Sequence, residues 1–440
     1  MTDTMYDLYA SIKKELRNER YGHHDLCRPI AAILANILYD KRPTRKKIKR
    51  ARKLLLLTPR YSAAADLRGN VFTWSVARDD HKRSAEDIQR VSTYQKQPFK
   101  FVRIPDITED AYKTIDLAAL WSAARLALRS KQRLVEKFYL FCAATYAIKH
   151  FKVLEKKELT KRISRLVSYN SSNIPECFLA TACRTEGGIA TFSLQHGFYY
   201  AHRESLPLSV INYENVTAQY LLVWSDFCRE QISAFHELHS IARDFEMLTA
   251  GYLKFGTARP RPPVKQAARS QPHIICLLPG PKDEQGCVEL LEVLCELPAN
   301  YSITVRMHPF MRESKRLLNV LPSQATLDES PYLADTLSTQ YFTAAVGFNT
   351  TSLFETLLVH IPCAVFLASS NSFRTPQIPE FRTAEELIKL LAKANSPAAL
   401  GDYLLGSETF RYPELISAPD PSDYLNEAPK LNDRGGRDIR

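Results

Sequence analysis

The segment Tyr301–Phe310, YSITVRMHPF, constrains the fold more than any other stretch. Tyr301, Ile303 and Val305 alternate with Ser302, Thr304 and Arg306. A period of two with β-branched residues predicts a strand. Pro309 lacks a backbone donor and predicts where that strand stops. Arg306 and His308 then fall at the carboxyl end of a strand, the edge at which open α/β sheets bind ligands. The segment Phe342–Leu358, FTAAVGFNTTSLFETLL, repeats the order strand, polar turn, helix. Two such turns close together in the chain point to an anion-binding cleft.

The rest of the chain follows the same grammar. Apolar runs predict strands at 54–60, 71–76, 101–104, 166–170, 189–194, 220–224 and 248–255, with helical patterns over 1–40, 116–166 and 175–185. Further strands are predicted at 273–278, 301–307, 342–347 and 361–367. Helices are expected between them near 283–297, 311–320, 332–337 and 351–359, and after them at 383–394. Alternation of this kind predicts α/β architecture, with parallel sheets and crossover helices. Residues 257–272, TARPRPPVKQAARSQP, are rich in proline and basic residues and predict a linker. The expected organisation is a helical and basic segment at 1–50, a first domain at 51–256, the linker, a second domain at 273–416 and a disordered tail at 417–440.

The net charge of +11 is concentrated. Lys41–Lys53, KRPTRKKIKRARK, carries nine basic and no acidic residues, and the remaining chain carries only +2. Such a run suits a solvated linker or an anionic membrane surface. No base-stacking aromatic module accompanies it, so nucleic acid is not an expected partner. The N-terminus has no apolar leader pattern, and Phe138–Ile148 is too short to span a bilayer and reads as a buried helix. The expectation is a cytoplasmic protein, peripheral at the inner membrane face. The nine cysteines form no CxxC pair and read as reduced core residues.

Several positions can carry chemistry. His196 follows a strand and precedes Gly197, which permits a tight turn and close approach of a ligand; it can act as a general base or simply order a loop. Arg306 and His308 can donate to phosphate oxygens. Asn349, Thr350, Thr351 and Ser352 open a helix and can cradle phosphate or cap it. Glu355 can accept from sugar hydroxyls or complement the helix dipole. Gly280, in Leu278–Gly286, is placed for close approach to a ligand. Asp79 and Asp80 are a metal-ligand pair in type, or a solvated loop.

Taken together, SLQHGFYY (193–200), VWSDFCREQI (223–232), GYLKFG (251–256), VRMHPF (305–310) and GFNTTSLFETLLVHIP (347–362) resemble motifs of bacterial GT-B glycosyltransferases that build capsules, lipooligosaccharides and teichoic acids. The His-Pro pair is similar to that of sialyl- and Kdo-transferases acting on cytidine nucleotides. The His-Gly pair resembles that of poly(glycerol phosphate) transferases. The Asp/Glu-Asp/Glu-Gly motif of several sialyltransferases has no counterpart; Thr185-Glu-Gly-Gly188 lies nearest to it. The resemblance implies two Rossmann-like doubly wound domains facing a central cleft. The second would hold a nucleotide-sugar donor through Arg306, His308, Pro309, Gly280, Asn349–Ser352 and Glu355. A glycan or glycolipid acceptor would meet Gln195 and Gly197, with His196 as base, inversion at the donor carbon, and no metal or cofactor. Alternatives are a CDP-glycerol-type alditol-phosphate transferase, a nucleotide-sugar epimerase on the same fold, and a glycan-binding scaffold. Should His196 not be the base, Glu186, Asp226 and Glu284 are the next carboxylates.

Overall fold

The computed structural model describes residues 4–75, 82, 85–89, 99–105, 109–186, 188–199, 201, 206–253, 271–369, 377–392, 398–406, 411–418 and 420–424. The chain forms two compact units. The first comprises the described residues of Met1–Val223, Arg229–Lys254 and Arg411–Lys430; the second those of Trp224–Cys228 and Phe255–Phe410. Residues 257–270 of the expected linker 257–272 and the pair Asp79–Asp80 lie outside the described residues.

The first unit is built on six parallel strands. Their order across the sheet is Glu246–Thr249, Tyr220–Val223, Ala190–Leu194, Ile163–Ser168, Gly69–Trp74 and Lys100–Arg103. The inner strands are buried almost throughout, as a helix-covered parallel sheet requires. Chain order reverses between Gly69–Trp74 and Ile163–Ser168, the switch point of a doubly wound sheet. The run FYLFCAATYAI lies inside the helix Leu134–Lys156, whose middle is buried. Lys149 on that helix is also buried, and its ammonium donates to the carbonyls of Leu55 (2.8 Å), Leu57 (3.3 Å) and Thr114 (2.8 Å).

That lysine accounts for one departure from expectation. Residues 54–60 are not a strand of the main sheet. Leu54–Leu56 finish the helix Thr44–Leu56, and Leu57–Pro59 pair antiparallel with Ala111–Lys113. Lys149 caps the helix end and holds the carbonyls of Leu57, in one strand, and of Thr114, just past the other. The segment 1–50 is also integral to this unit rather than an appendage. In the helix Thr4–Glu15, the Tyr9 hydroxyl donates to Glu214 at 2.7 Å and Lys13 meets the same carboxylate at 2.6 Å.

The chain's return to this unit corrects the expected second-domain end at 416 and the disordered tail from 417. The helix Tyr412–Ser417 and the turn Pro421–Tyr424 are ordered. Tyr412 is fully buried and its hydroxyl donates to Gly251 O at 3.0 Å, while Arg165 donates to the carbonyls of Ile416 and Ala418. Residues 425–440 lie outside the described residues.

The second unit has six parallel strands in the order Ala325–Leu327, Ser302–Arg306, His273–Leu277, Ala344–Gly347, Cys363–Phe366 and Glu380–Phe381. The two edge strands were not expected, because three and two residues are too few to show a period. The switch point falls between His273–Leu277 and Ala344–Gly347, where the strands approach closely. A Cβ on Gly347 would sit 2.5 Å from Leu277 O, so only glycine fits. The helix expected at 311–320 shrinks to Lys315–Leu318, capped by Ser314, after a turn at Pro309–Met311. Both units are therefore doubly wound, parallel-sheet α/β.

Candidate active site

The switch point of the second unit gathers most of the expected donor residues. After the His273–Leu277 strand the chain turns through Gly280, and after Ser302–Arg306 it reaches His308. A Cβ on Gly280 would lie 3.6 Å from the His308 ring, so the imidazole rests on this glycine. Gly280 has an ordinary extended backbone, and its role is to seat that ring. The Phe310 N–H donates to His308 Nδ1 at 3.3 Å. Nδ1 therefore accepts, and the neutral ring carries its proton on Nε2, as a donor. Pro309 starts the short turn, and Phe310 beyond it is 79% exposed.

On the other side of the switch point, Asn349 adopts a left-handed φ of 46° and its amide donates to Asp283 at 3.1 Å. This side-chain bond joins the two loops that flank the switch point. Thr350 is the N-cap of the helical run Thr351–Val359, α-helical to Glu355 and 3₁₀ beyond, yet its hydroxyl makes no capping bond. Thr350, Thr351 and Ser352 are half-buried, and their hydroxyls have no hydrogen-bond partner among the described residues. Glu355 is buried inside the unit.

Arg306 departs from its expected role. Its guanidinium pairs with Asp328 and donates to the carbonyls of Ser330 (3.0 Å) and Pro331 (3.2 Å). Burial pushes the Asp328 carboxyl up, but hydrogen bonds from Thr336 and Arg306 outweigh it and hold it below the usual range. Arg306 therefore shapes the 328–331 loop instead of presenting its fork to a phosphate. The sequence could not show this, because Asp328 follows a strand that has no visible period.

In the first unit, His196 stands past the carboxyl end of the Ala190–Leu194 strand. Its Nδ1 is 2.9 Å from the Tyr199 hydroxyl, and the Tyr169 ring lies 5.4 Å away. Gln195 is buried, and its amide donates to Gly197 O at 2.9 Å. Gly197 is not in the left-handed region, and a Cβ there would meet only Tyr199 at 3.8 Å. A positive-φ turn is not what the backbone uses at Gly197; among the described residues only the Tyr199 ring comes near the glycine. Tyr199 was missed in the sequence because contact across a turn leaves no periodic signal.

The switch point of the first unit is plugged. Glu176, fully buried, receives Ser75 Oγ (2.8 Å), Asn170 N (3.0 Å) and Asn173 Nδ2 (3.4 Å). Burial pushes its carboxyl up to about 7 despite these bonds. The polar run Asn170–Asn173 is likewise engaged internally, with Ser171 Oγ accepting from Thr217 N and Thr217 Oγ1 donating to Ser171 O. Of the reserve bases, Glu186 ends the helix Ile174–Thr185 and so falls at the amino edge of the sheet, opposite His196. Glu284 accepts from Ser314 at 2.6 Å, and Asp226 heads the helix Asp226–Leu238.

No protein-family model matches this chain. No curated protein matches it either. Among solved structures, it is similar to the lipopolysaccharide outer core galactosyltransferase WaaB in its apo form, at 13% identity and TM-score 0.40 over 81% of this chain and 95% of that one. It is similar to the wall teichoic acid polymerase TagF soaked with CDPG, at 10% identity and TM-score 0.41 over 97% and 96%. It is also similar to UDP-N-acetylglucosamine 2-epimerase from Rickettsia bellii, at 12% identity and TM-score 0.44 over 77% and 94%.

Proposed function

We propose that this chain is a GT-B glycosyltransferase that moves a sugar from a cytidine-activated donor to a glycan or glycolipid of a surface polysaccharide. The observation that carries the reading is the gathering of Gly280, His308 and Asn349–Ser352 at the switch point of the second sheet. His308 Nε2–H and the hydroxyls of Thr350, Thr351 and Ser352 are donors suited to phosphate oxygens. They offset the charge that develops on the departing nucleotide, so the reaction is proposed to run without metal. In the first unit, His196 is the proposed base. To accept a proton at Nε2 its Nδ1–H must donate to Tyr199, which would then fix both tautomer and ring. Inversion at the donor carbon follows from a single displacement.

The epimerase reading needs carboxylates around the nucleotide sugar. Here Asp283 is bonded to Asn349 and Glu284 to Ser314, which favours transfer. Transfer of an alditol phosphate uses the same groups, and a donor screen separates it from sugar transfer.

Membrane docking is proposed through the helix Thr44–Leu56. Its basic side chains are mostly exposed, and none of its first-turn residues is acidic. Cations at a helix N-terminus oppose the dipole, so this charge works against the helix itself. The helix Leu117–Arg129 adds an apolar face, with Leu117, Trp121 and Leu128 exposed on one side. Among the described residues no helix is long and apolar enough to cross a membrane.

The test is a nucleotide panel read by thermal shift, then calorimetry on His308→Ala. Cytidine nucleotides should raise the melting temperature, and the variant should lose about tenfold or more in affinity while keeping its fold, as loss of a charge-assisted hydrogen bond implies. Unchanged affinity in a folded variant would remove His308 from the site.

A further inference from the structure

A second cluster lies in the first unit, outside the residues assigned to transfer. Arg20–Tyr21 and His24–Asp25 form a small antiparallel hairpin, turning through Gly22 and His23. Gly22 has a φ of 57° and packs against the helix Leu134–Lys156, where a Cβ would lie 3.7 Å from Glu155 Oε1. His24 is 1% exposed and stacks on Phe151, one turn before Glu155, with ring centroids 4.5 Å apart. Neighbouring residues of a strand normally point to opposite faces. Here the turn brings the His23 and His24 rings to 4.0 Å, on the side of Glu155.

The hydrogen bonds at Thr185 favour one His24 tautomer. Thr185 Oγ1 has one proton, and it is directed to the carbonyls of Thr181 and Ala182, each at 3.0 Å. While that proton serves a helix carbonyl, Thr185 Oγ1 accepts from His24 Nδ1, at 3.1 Å. Nδ1 carries the hydrogen, and Nε2 presents a lone pair. Among the described residues that buried nitrogen has no hydrogen-bond partner, and it lies 3.2 Å from the Glu155 carboxylate. In that tautomer two acceptors face one another, an arrangement that a cation between them satisfies.

We propose that His23, His24 and Glu155 form a zinc-type divalent metal site that clamps the N-terminal hairpin to the long helix. Two ligands at roughly 2.0–2.1 Å from a tetrahedral ion stand about 3.3 Å apart, close to the His24–Glu155 separation. The ligand atoms of all three residues lie within 4.8 Å of one another, and exposed His23 closes the remaining gap by turning its ring. Thr185 acts as the outer partner that orients a metal-bound imidazole. Two imidazoles and one carboxylate suit zinc, with water in the fourth position.

The test uses the full chain, freed of metal, with Co²⁺ as the spectroscopic probe and Zn²⁺ as competitor. His24 is a core residue, so the variants are His23→Ala and Glu155→Gln, each checked for an unchanged metal-free melting temperature. The parent should bind one Co²⁺ with a nitrogen–oxygen visible spectrum and no sulfur charge-transfer band, and Zn²⁺ should displace it and raise the melting temperature. Each variant should bind about tenfold or more weakly, since even an outer-shell loss costs that much. Absence of Co²⁺ binding, a thiolate spectrum, or binding by both variants as tight as the parent's would overturn the site.

Discussion

His196 and Glu176 occupy the same sheet edge of the first unit, and burial gives them different work. His196 is half-buried beside Tyr199, partly exposed at the sheet edge where it can meet a hydroxyl. A sugar hydroxyl is a poor nucleophile while neutral, and a positioned base is worth about 10²–10⁴-fold. His196→Ala should lower kcat by that factor with donor affinity nearly unchanged; a rise confined to acceptor KM would move the base elsewhere. Glu176 is sealed from solvent, and its carboxyl is pushed up to about 7 by burial. The native state then holds its proton more tightly than the unfolded state does. The resulting stability is complete below about pH 4.5 and is lost as pH rises to about 7, by about 3 kcal/mol. Buried His150, driven down to about 3, acts with the opposite sign, costing stability as pH falls below about 6.5. A comparison with Glu176→Gln isolates the first effect. The variant should gain on the parent in melting temperature between pH 4.5 and 7, and a pH-independent difference would show that this carboxyl is ionised throughout.

At the scale of elements, the basic run shows how a composition signal becomes a surface. Lys41–Lys53 has the makings of a flexible linker, yet most of it is the helix Thr44–Leu56, held by buried Ala51 and Leu54. Lys47 donates to Leu38 O, and Arg42 and Arg50 share Asp40, so part of the charge is tied down locally. Changing Lys46, Lys49, Arg52 and Lys53 to Gln leaves those contacts alone. At about 1 kcal/mol per basic residue near an anionic surface, vesicle affinity should fall several hundredfold at low salt. Flotation with acidic vesicles measures it, and equal binding would leave the helix as a solvated face. The strand elements were legible where they are long and buried on both faces, as in Ala190–Leu194 and Ser302–Arg306. Leu57–Pro59 is a strand as expected, whereas Leu54–Leu56 are helical, because four leucines suit a helix end as well as a strand and Lys149 holds the carbonyls at that junction.

At the scale of the molecule, the last described residues matter to the first unit. Tyr412 is fully buried against Gly251, and Arg165 holds the carbonyls of Ile416 and Ala418. A chain ending at 410 should lower the melting temperature of the first unit and leave nucleotide binding by the second intact; loss of nucleotide binding, or an unchanged melting profile, would refute this. The sequence alone determined the α/β class, two doubly wound halves, and the strand ends that bear His196 and His308. Those features are local: period, proline and turn chemistry act over a few neighbouring residues. What each side chain does there was decided by tertiary contacts. Asp328 takes Arg306 away from phosphate, Tyr199 reaches His196, Glu176 closes one switch point while Gly347 lets strands meet at the other, and Glu155 comes to His24. Such partners meet only when the chain folds, and no pattern along the chain marks a contact between residues far apart in it.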